Sequence, residues 1–437
     1  MSRVMSRATT RATTGATLSR TLLAIALSAC ALAAHAQDVL IRNATVHTAT
    51  ARGTLQSTDV LVSGGVVRAL GQGLAAPAGA QVVDAQGRPL TPTLFGGITQ
   101  IGVDEVSGES ATVDQTLALG APTREMTVRP EFDVTLAYNP ASTLLPVARV
   151  EGIGWTLLAP GTAEGGSIIA GQGAVMRLDG SPDPAGPRVL FVNLGGDAVG
   201  LTGRSRAAQW MLLDQFIDEV RGRIPPDSHA AMLTPAGRAT LARFLDGGGR
   251  VVVEIDRAAD IRQLLRWSRR HGVRVAIASG AEAWMLAGDL AAAEVPVFVD
   301  PLLNLPGSFD AIGATLANAA RLHAAGVAVG FTQSDDVSHN ARKVRQLAGN
   351  AVAAGLPWDA ALAGLTRVPA RAFGVAEGLG GIAPGQRADL VLWTGDPLDV
   401  AHVAAQVWLG GRAIPMRSRQ TDLLERYLRR QPGDAVR

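Results

Sequence analysis

The stretch Thr91–Gly102, TPTLFGGITQIG, decides how this chain is read. Before it, Val82-Val83-Asp84-Ala85-Gln86-Gly87-Arg88-Pro89-Leu90 reads as strand, turn and strand. After it the pattern changes to long alternating strands and helices. The stretch therefore sits where a strand leaves a small N-terminal unit and opens a larger one.

Working outward, short strands are predicted upstream at Val39–Ile41, Asp59–Val62, Val66–Leu70 and Gln81–Val83, with Gly64, Gly65, Gly71 and Gly87 in the turns. Downstream, buried runs at Gly154–Pro160, Val189–Asn193, Arg250–Ile255, Val273–Ile277, Pro296–Val299 and Val327–Phe331 read as strands. Between and after them, helices are predicted at Arg204–Arg223, Pro235–Asp246, Ala259–His271, Glu282–Ala292, Asp310–Ala324, His339–Ala354 and Trp358–Thr366. Alternation at this spacing predicts an α/β fold with a parallel sheet and right-handed crossovers. A chain of 437 residues, 47% of them hydrophobic, can fill one large core and a smaller one. The formal charge of +2 is nearly neutral, and the pI of about 9.2 comes from dispersed arginines, which argues against a nucleic-acid partner.

The N-terminus reads as an export signal. Arg3, Arg7, Arg11 and Arg20 are basic, Thr21–Ala34 is apolar, and Ala34-His35-Ala36 offers a small-residue cleavage site. A periplasmic or secreted protein is expected after cleavage near Ala36. The alternative is a lipoprotein anchored at Cys30, in Leu27-Ser28-Ala29-Cys30, and only this reading implies a membrane. Ordinary cleavage would leave no cysteine, hence no disulfide and no thiolate ligand.

Gly380-Gly381-Ile382-Ala383-Pro384-Gly385-Gln386-Arg387-Ala388-Asp389-Leu390-Val391-Leu392-Trp393 resembles, almost position by position, the G-S-I-x-P-G-K-x-A-D-L-V-x-W segment of the amidohydrolase superfamily, in particular its exported imidazolonepropionase-like members. The resemblance implies a TIM-like (β/α)8 barrel with a small β-sandwich domain built from both chain ends. It divides the chain into a signal peptide (1–36), two sandwich halves (37–90 and 380–416), the barrel (91–379) and a helical tail (417–437). The implied activity is hydrolysis of non-peptide C–N bonds. Gly385 and Asp389 are read as serving a turn and its backbone donors.

A barrel of this kind places reactive groups at the C-terminal strand ends. There the superfamily holds a metal that lowers the pKa of water from about 15.7 to about 7. Against its P-G-x-I-D-x-H-x-H first strand, Pro92 matches, Gly96 replaces the aspartate, and Ile98 and Gln100 replace the histidines. Glu254 and Asp256 stand where V-x-I-H-A-H-R-A-x-D-I would carry histidines, and Ser279 replaces another. The only lysine, Lys343, falls in a late helix and so leaves no metal-bridging lysine. Asp335 matches the catalytic aspartate and Asp336 follows it. Of seven histidines, only His339 is read as approaching the barrel mouth.

Three readings follow. In one, Glu254, Asp256, Asp335 and Gln100 form an oxygen-ligand site for Mg or Mn, zinc being unsuited; the plainer view pairs the acids with arginines such as Arg257. In another, Asp335 or Asp336 works with His339 without a metal, although a helix cap at His339 explains the same residues. In the third, the barrel binds a small molecule, a His-bearing paralogue or a second copy of itself, without hydrolysis and without a cofactor. Gly171-Gln172-Gly173-Ala174-Val175 is expected in a substrate-side loop, and Asp300–Leu303 in a loop that closes a strand.

Overall fold

The computed structural model describes residues 38–117, 128–334 and 337–428. The export signal, Cys30, Asp335, Asp336 and the last residues of the tail lie outside them.

The N-terminal strands are β1 (Val39–His47), β2 (Thr54–Ser63), β3 (Val66–Gly71), β4 (Gln81–Asp84) and β5 (Pro89–Pro92). The barrel unit follows: β6 (Leu94–Thr99), α1 (Leu144–Arg149), β7 (Ile153–Leu158), β8 (Ile169–Arg177), β9 (Val189–Asn193), α2 (Arg206–Val220), α3 (Pro235–Leu245), β10 (Val251–Ile255) and α4 (Ala258–His271). It continues through β11 (Val275–Ser279), α5 (Ala287–Ala292), β12 (Val297–Val299), α6 (Asn318–Ala324), β13 (Val329–Phe331), α7 (Val344–Ala353), α8 (Trp358–Gly364) and α9 (Arg367–Ala372). The chain ends in β14 (Leu390–Trp393), β15 (Ala404–Leu409), β16 (Arg412–Ala413) and α10 (Arg419–Leu428).

Both chain ends build the small unit. β14 pairs with β5, Leu390 opposite Pro92, and β5 pairs with β1. The expected sandwich is a single eight-stranded hydrogen-bonded sheet around one core that includes Ile41, Val60, Leu90, Ile382, Leu390 and Trp408. The opening stretch is split between the units: Thr91 and Pro92 pair in this sheet, and the barrel begins only at Leu94.

β6 to β13 form the second sheet, in sequence order. It is nearly closed, and the Ile98 N–H donates across the seam to the Thr332 hydroxyl at 3.3 Å. Most pairings are parallel, as predicted, but β8 runs antiparallel to both β7 and β9. Gly171–Val175 is thus buried strand, not loop. A run of buried residues from Ile169 to Met176 makes a two-sided strand, and glycine allows the close approach: a Cβ on Gly173 would lie 1.9 Å from the Leu158 carbonyl oxygen.

Local chemistry sets the helices around the sheet. Thr234 caps α3 by accepting from the Gly237 N–H at 2.9 Å, with Pro235 in the first turn. α4 buries Ile261, Leu264 and Leu265 and ends at Gly272, whose φ of 74° suits a left-handed cap. The helix predicted at Asp310–Ala324 is shortened to α6, because Asp310 is drawn into an ion pair with Arg206 and accepts from the Gly196 N–H. The tail helix α10 buries no residue.

Period two decides the faces of each barrel strand. Val251, Val253 and Ile255 of β10 pack outward under the helices, while Val252 and Glu254 point inward. Inside, Phe95 packs on Trp155 at 4.8 Å and Phe298 stacks on Phe373 at 5.0 Å. These rings pack inside the barrel, and a cavity lies at its C-terminal strand ends.

Candidate functional site

A cavity of about 140 Å³ opens there. Ile98 and Gln100 after β6, Glu254 on β10 and Ser279 at the end of β11 all line it, so four positions chosen from sequence converge on one space. Asn193 from β9, and Thr332, Gln333 and Ser334 after β13, complete its polar wall; Phe191, Val252 and Ala278 are apolar. Asn193 and Gln333 were not singled out from sequence. Asn193 is the last residue of a correctly predicted strand, so the strand-end rule would have found it.

Glu254 lies between Asn193 and Ala278 in strand register. It faces the open cavity and is itself exposed to solvent there, so water screens much of its charge. Burial, then the charges of Asp256 and Asp197, push its carboxyl up to about 7. Asp256 does not line the cavity. Its carboxylate accepts from the Ala281 N–H at 2.9 Å and from the Ser279 hydroxyl. Burial raises its pKa, these two hydrogen bonds oppose the rise, and Asp197 and Asp310 add to it.

Ser279 has φ of 73°, a left-handed conformation that a residue with a Cβ adopts at a cost. The turn aims its hydroxyl back at Asp256. Beyond it Glu282 is buried and accepts from the Ala258 N–H and the Gly313 N–H, both at 2.8 Å, tying two loops of the mouth together.

The expected pairing of Arg257 with the mouth acids is replaced by another. Arg257 and Arg206 both bind Asp260, at 2.7 and 2.9 Å, and Arg206 also holds Asp310. Among the described residues, Glu254 is left without a cation. Asp300 accepts from the Leu302 and Ser334 N–H groups, a loop-closing role. His339 begins a 3₁₀ turn, His339–Lys343, and borders a different, smaller cavity with Leu144, Val147 and Arg342, away from Glu254. Its residue type suggested chemistry, but the turn that follows β13 carries it past the mouth. Asp335 and Asp336 adjoin the cavity in sequence and lie outside the described residues.

A family model described as the amidohydrolase family matches residues 255–414. The fold of a crystal structure of an amidohydrolase from Thermotoga maritima MSB8 overlays on this one with a TM-score of 0.75, at 25% identity, covering 87% of this chain and 100% of that one. A prolidase solved with N-methylphosphonate-L-proline gives a TM-score of 0.53 at 14% identity, over 87% of this chain and 100% of that one, a likeness of fold. The amidohydrolase tasK of Hapsidospora irregularis is 42% identical over 80 residues, which span 18% of this chain and only 8% of that protein. The match to the amidohydrolase family thus covers residues 255–414, and the fold shared with an amidohydrolase extends over most of the chain.

The superfamily's metal can be tested against the donors present. At the strand ends stand a hydrocarbon, an amide, a carboxyl and a hydroxyl, from Ile98, Gln100, Glu254 and Ser279. Zinc takes imidazole, thiolate and carboxylate ligands at tetrahedral spacing. Among the described residues no group of three or more His, Cys, Asp or Glu side chains is disposed to hold an ion. These residues do not fit a histidine-based centre.

Proposed function

We propose that this chain is an exported, periplasmic member of the amidohydrolase superfamily that has given up the histidine metal centre and uses the barrel mouth to bind a small ligand. One observation carries the reading. Ile98, Gln100 and Ser279, three of the residues that stand at histidine positions of the sequence pattern, line one open cavity with Glu254, while Asp256 lies outside its lining. An apolar Ile98 cannot ligate, whereas Gln100, Asn193 and Gln333 can orient a ligand through hydrogen bonds. The test is metal analysis and hydrolase screening of untagged protein. Zinc well below one equivalent and no C–N hydrolysis are expected. Stoichiometric zinc, with an activity lost in Asp335→Asn, would overturn the reading.

Glu254 supports a second reading, metal-free acid–base chemistry. A carboxyl pushed up to about 7 can both give and take a proton near neutrality. The same screen separates the two, because a hydrolysis that survives chelator and disappears in Glu254→Gln belongs to the second.

A further inference from the structure

The cavity's own charge points to the class of ligand, an inference that rests on the ligand-binding reading above. Three carboxylates, Glu254, Asp256 and Asp197, lie close enough to act on one another electrostatically. No arginine or lysine is among the described residues lining the cavity. The arginines of the rim are committed: Arg206 to Asp260 and Asp310, Arg257 to Asp260. Lys343, the only lysine, is exposed on its 3₁₀ turn and does not line the cavity. Asp256 has the Ser279 hydroxyl and the Ala281 N–H as partners; Glu254 has no cation among the described residues.

Gln333 supplies a second observation. It is only 8% exposed, lines the cavity, and its Nε2 makes no hydrogen bond. A buried amide left without a partner costs free energy unless something that enters the site completes it. Turned end for end, the amide presents its oxygen as an acceptor. Asn193 has its Nδ2 committed to the Thr162 hydroxyl at 3.1 Å, which leaves its carbonyl oxygen to accept. An ammonium has three N–H donors and no acceptor, and the carboxylate and these two amide oxygens match that set. Ile98, Phe191 and Val252 offer apolar surface to a short hydrocarbon body.

We propose that the cavity binds a small organic cation, a primary ammonium on a short apolar body, with Glu254 as its counter-ion and Gln333 and Asn193 as its acceptors. The probes are three compounds of similar size and different charge, n-butylammonium, butyramide and butyrate, titrated calorimetrically into the protein at neutral pH. Saturable binding of butylammonium is expected, at least tenfold tighter than butyramide, with no binding of butyrate. Glu254→Gln should weaken it at least tenfold and Gln333→Ala severalfold. Asp218→Asn, at an exposed pair with Arg223, should leave it unchanged. Butyramide or butyrate binding as well as the amine, or amine binding that is indifferent to Glu254→Gln, overturns the cationic assignment and leaves a ligand site of another class. If none of the three binds while Glu254→Gln remains folded, the ligand-binding reading falls with it.

Discussion

Two carboxylates, one buried and one open to a cavity, show how differently the halves of this molecule treat the same chemical group. Asp389, in the sheet built from both chain ends, accepts from the Gly410 N–H at 2.6 Å and from Arg387 Nε at 2.9 Å, and Arg387 also reaches Asp179. Burial pushes the Asp389 carboxyl up, while Arg387 and the Gly410 N–H pull it back down. Glu254, at the barrel mouth, has no such donors and has two carboxylates as neighbours. A structural acid comes with its partners built in. An acid at a strand end with no such partners and open to solvent is free to take one from outside.

Four measurements would break or sharpen that contrast. Asp389→Ala leaves the Gly410 N–H unmet and Arg387 short of one partner, so it should lower unfolding free energy by about 3–5 kcal/mol in urea denaturation. A loss below about 1 kcal/mol would make Asp389 as dispensable as a surface acid. Arg206→Ala strips Asp310 of its cation and leaves Asp260 with Arg257 alone, and should cost about 2–3 kcal/mol by the same assay.

Glu254→Gln should move stability the other way, and only at high pH. At pH 4 the folded and unfolded chains both largely hold the Glu254 proton. As pH rises towards about 7 the unfolded chain ionises first, so the wild type loses stability, and the loss is complete above 7. The variant escapes it and should gain about 1 kcal/mol at pH 8, a modest figure because water in the cavity screens the charge. Equal stability of the two proteins from pH 4 to pH 8 would show that Glu254 is already neutralised. The smallest effect is expected at Ser279. Ser279→Gly relieves the left-handed strain and should be more stable than Ser279→Ala by about 0.5–1 kcal/mol, although both lose the Asp256 hydrogen bond.

Much of the fold was legible because its signals are local and repeated. Short charge-free runs such as Val189–Asn193 mark strands, Thr234-Pro235 opens a helix, and Gly272 ends one. The antiparallel β8 was not, because Gly171 and Gly173 read as loop residues until a neighbouring backbone is known to need the space. Gln100, Glu254 and Ser279 were picked out by resemblance to the superfamily's strand patterns, and the fold brings them to one cavity. Which arginine pairs with which acid was not legible: Arg257 chooses Asp260, three residues away on one helical turn, over the nearer Asp256. His339 misled because its place depends on the turn after β13, which strand periodicity does not encode.

The pairing of β14 with β5 has a consequence for folding kinetics. The whole barrel lies between these two strands, so their ladder closes only after the chain has come nearly full circle. Contacts of such long sequence separation form late, once the loop they close has already been shortened by structure within it. The β5–β14 ladder should therefore close late, after local strand–helix units of the barrel and the β1–β2–β3 ladder have formed, with Leu390 reaching Pro92 as one of the final steps. That order also leaves Thr91 and Pro92, the hinge between the two units, unpaired until the end of folding.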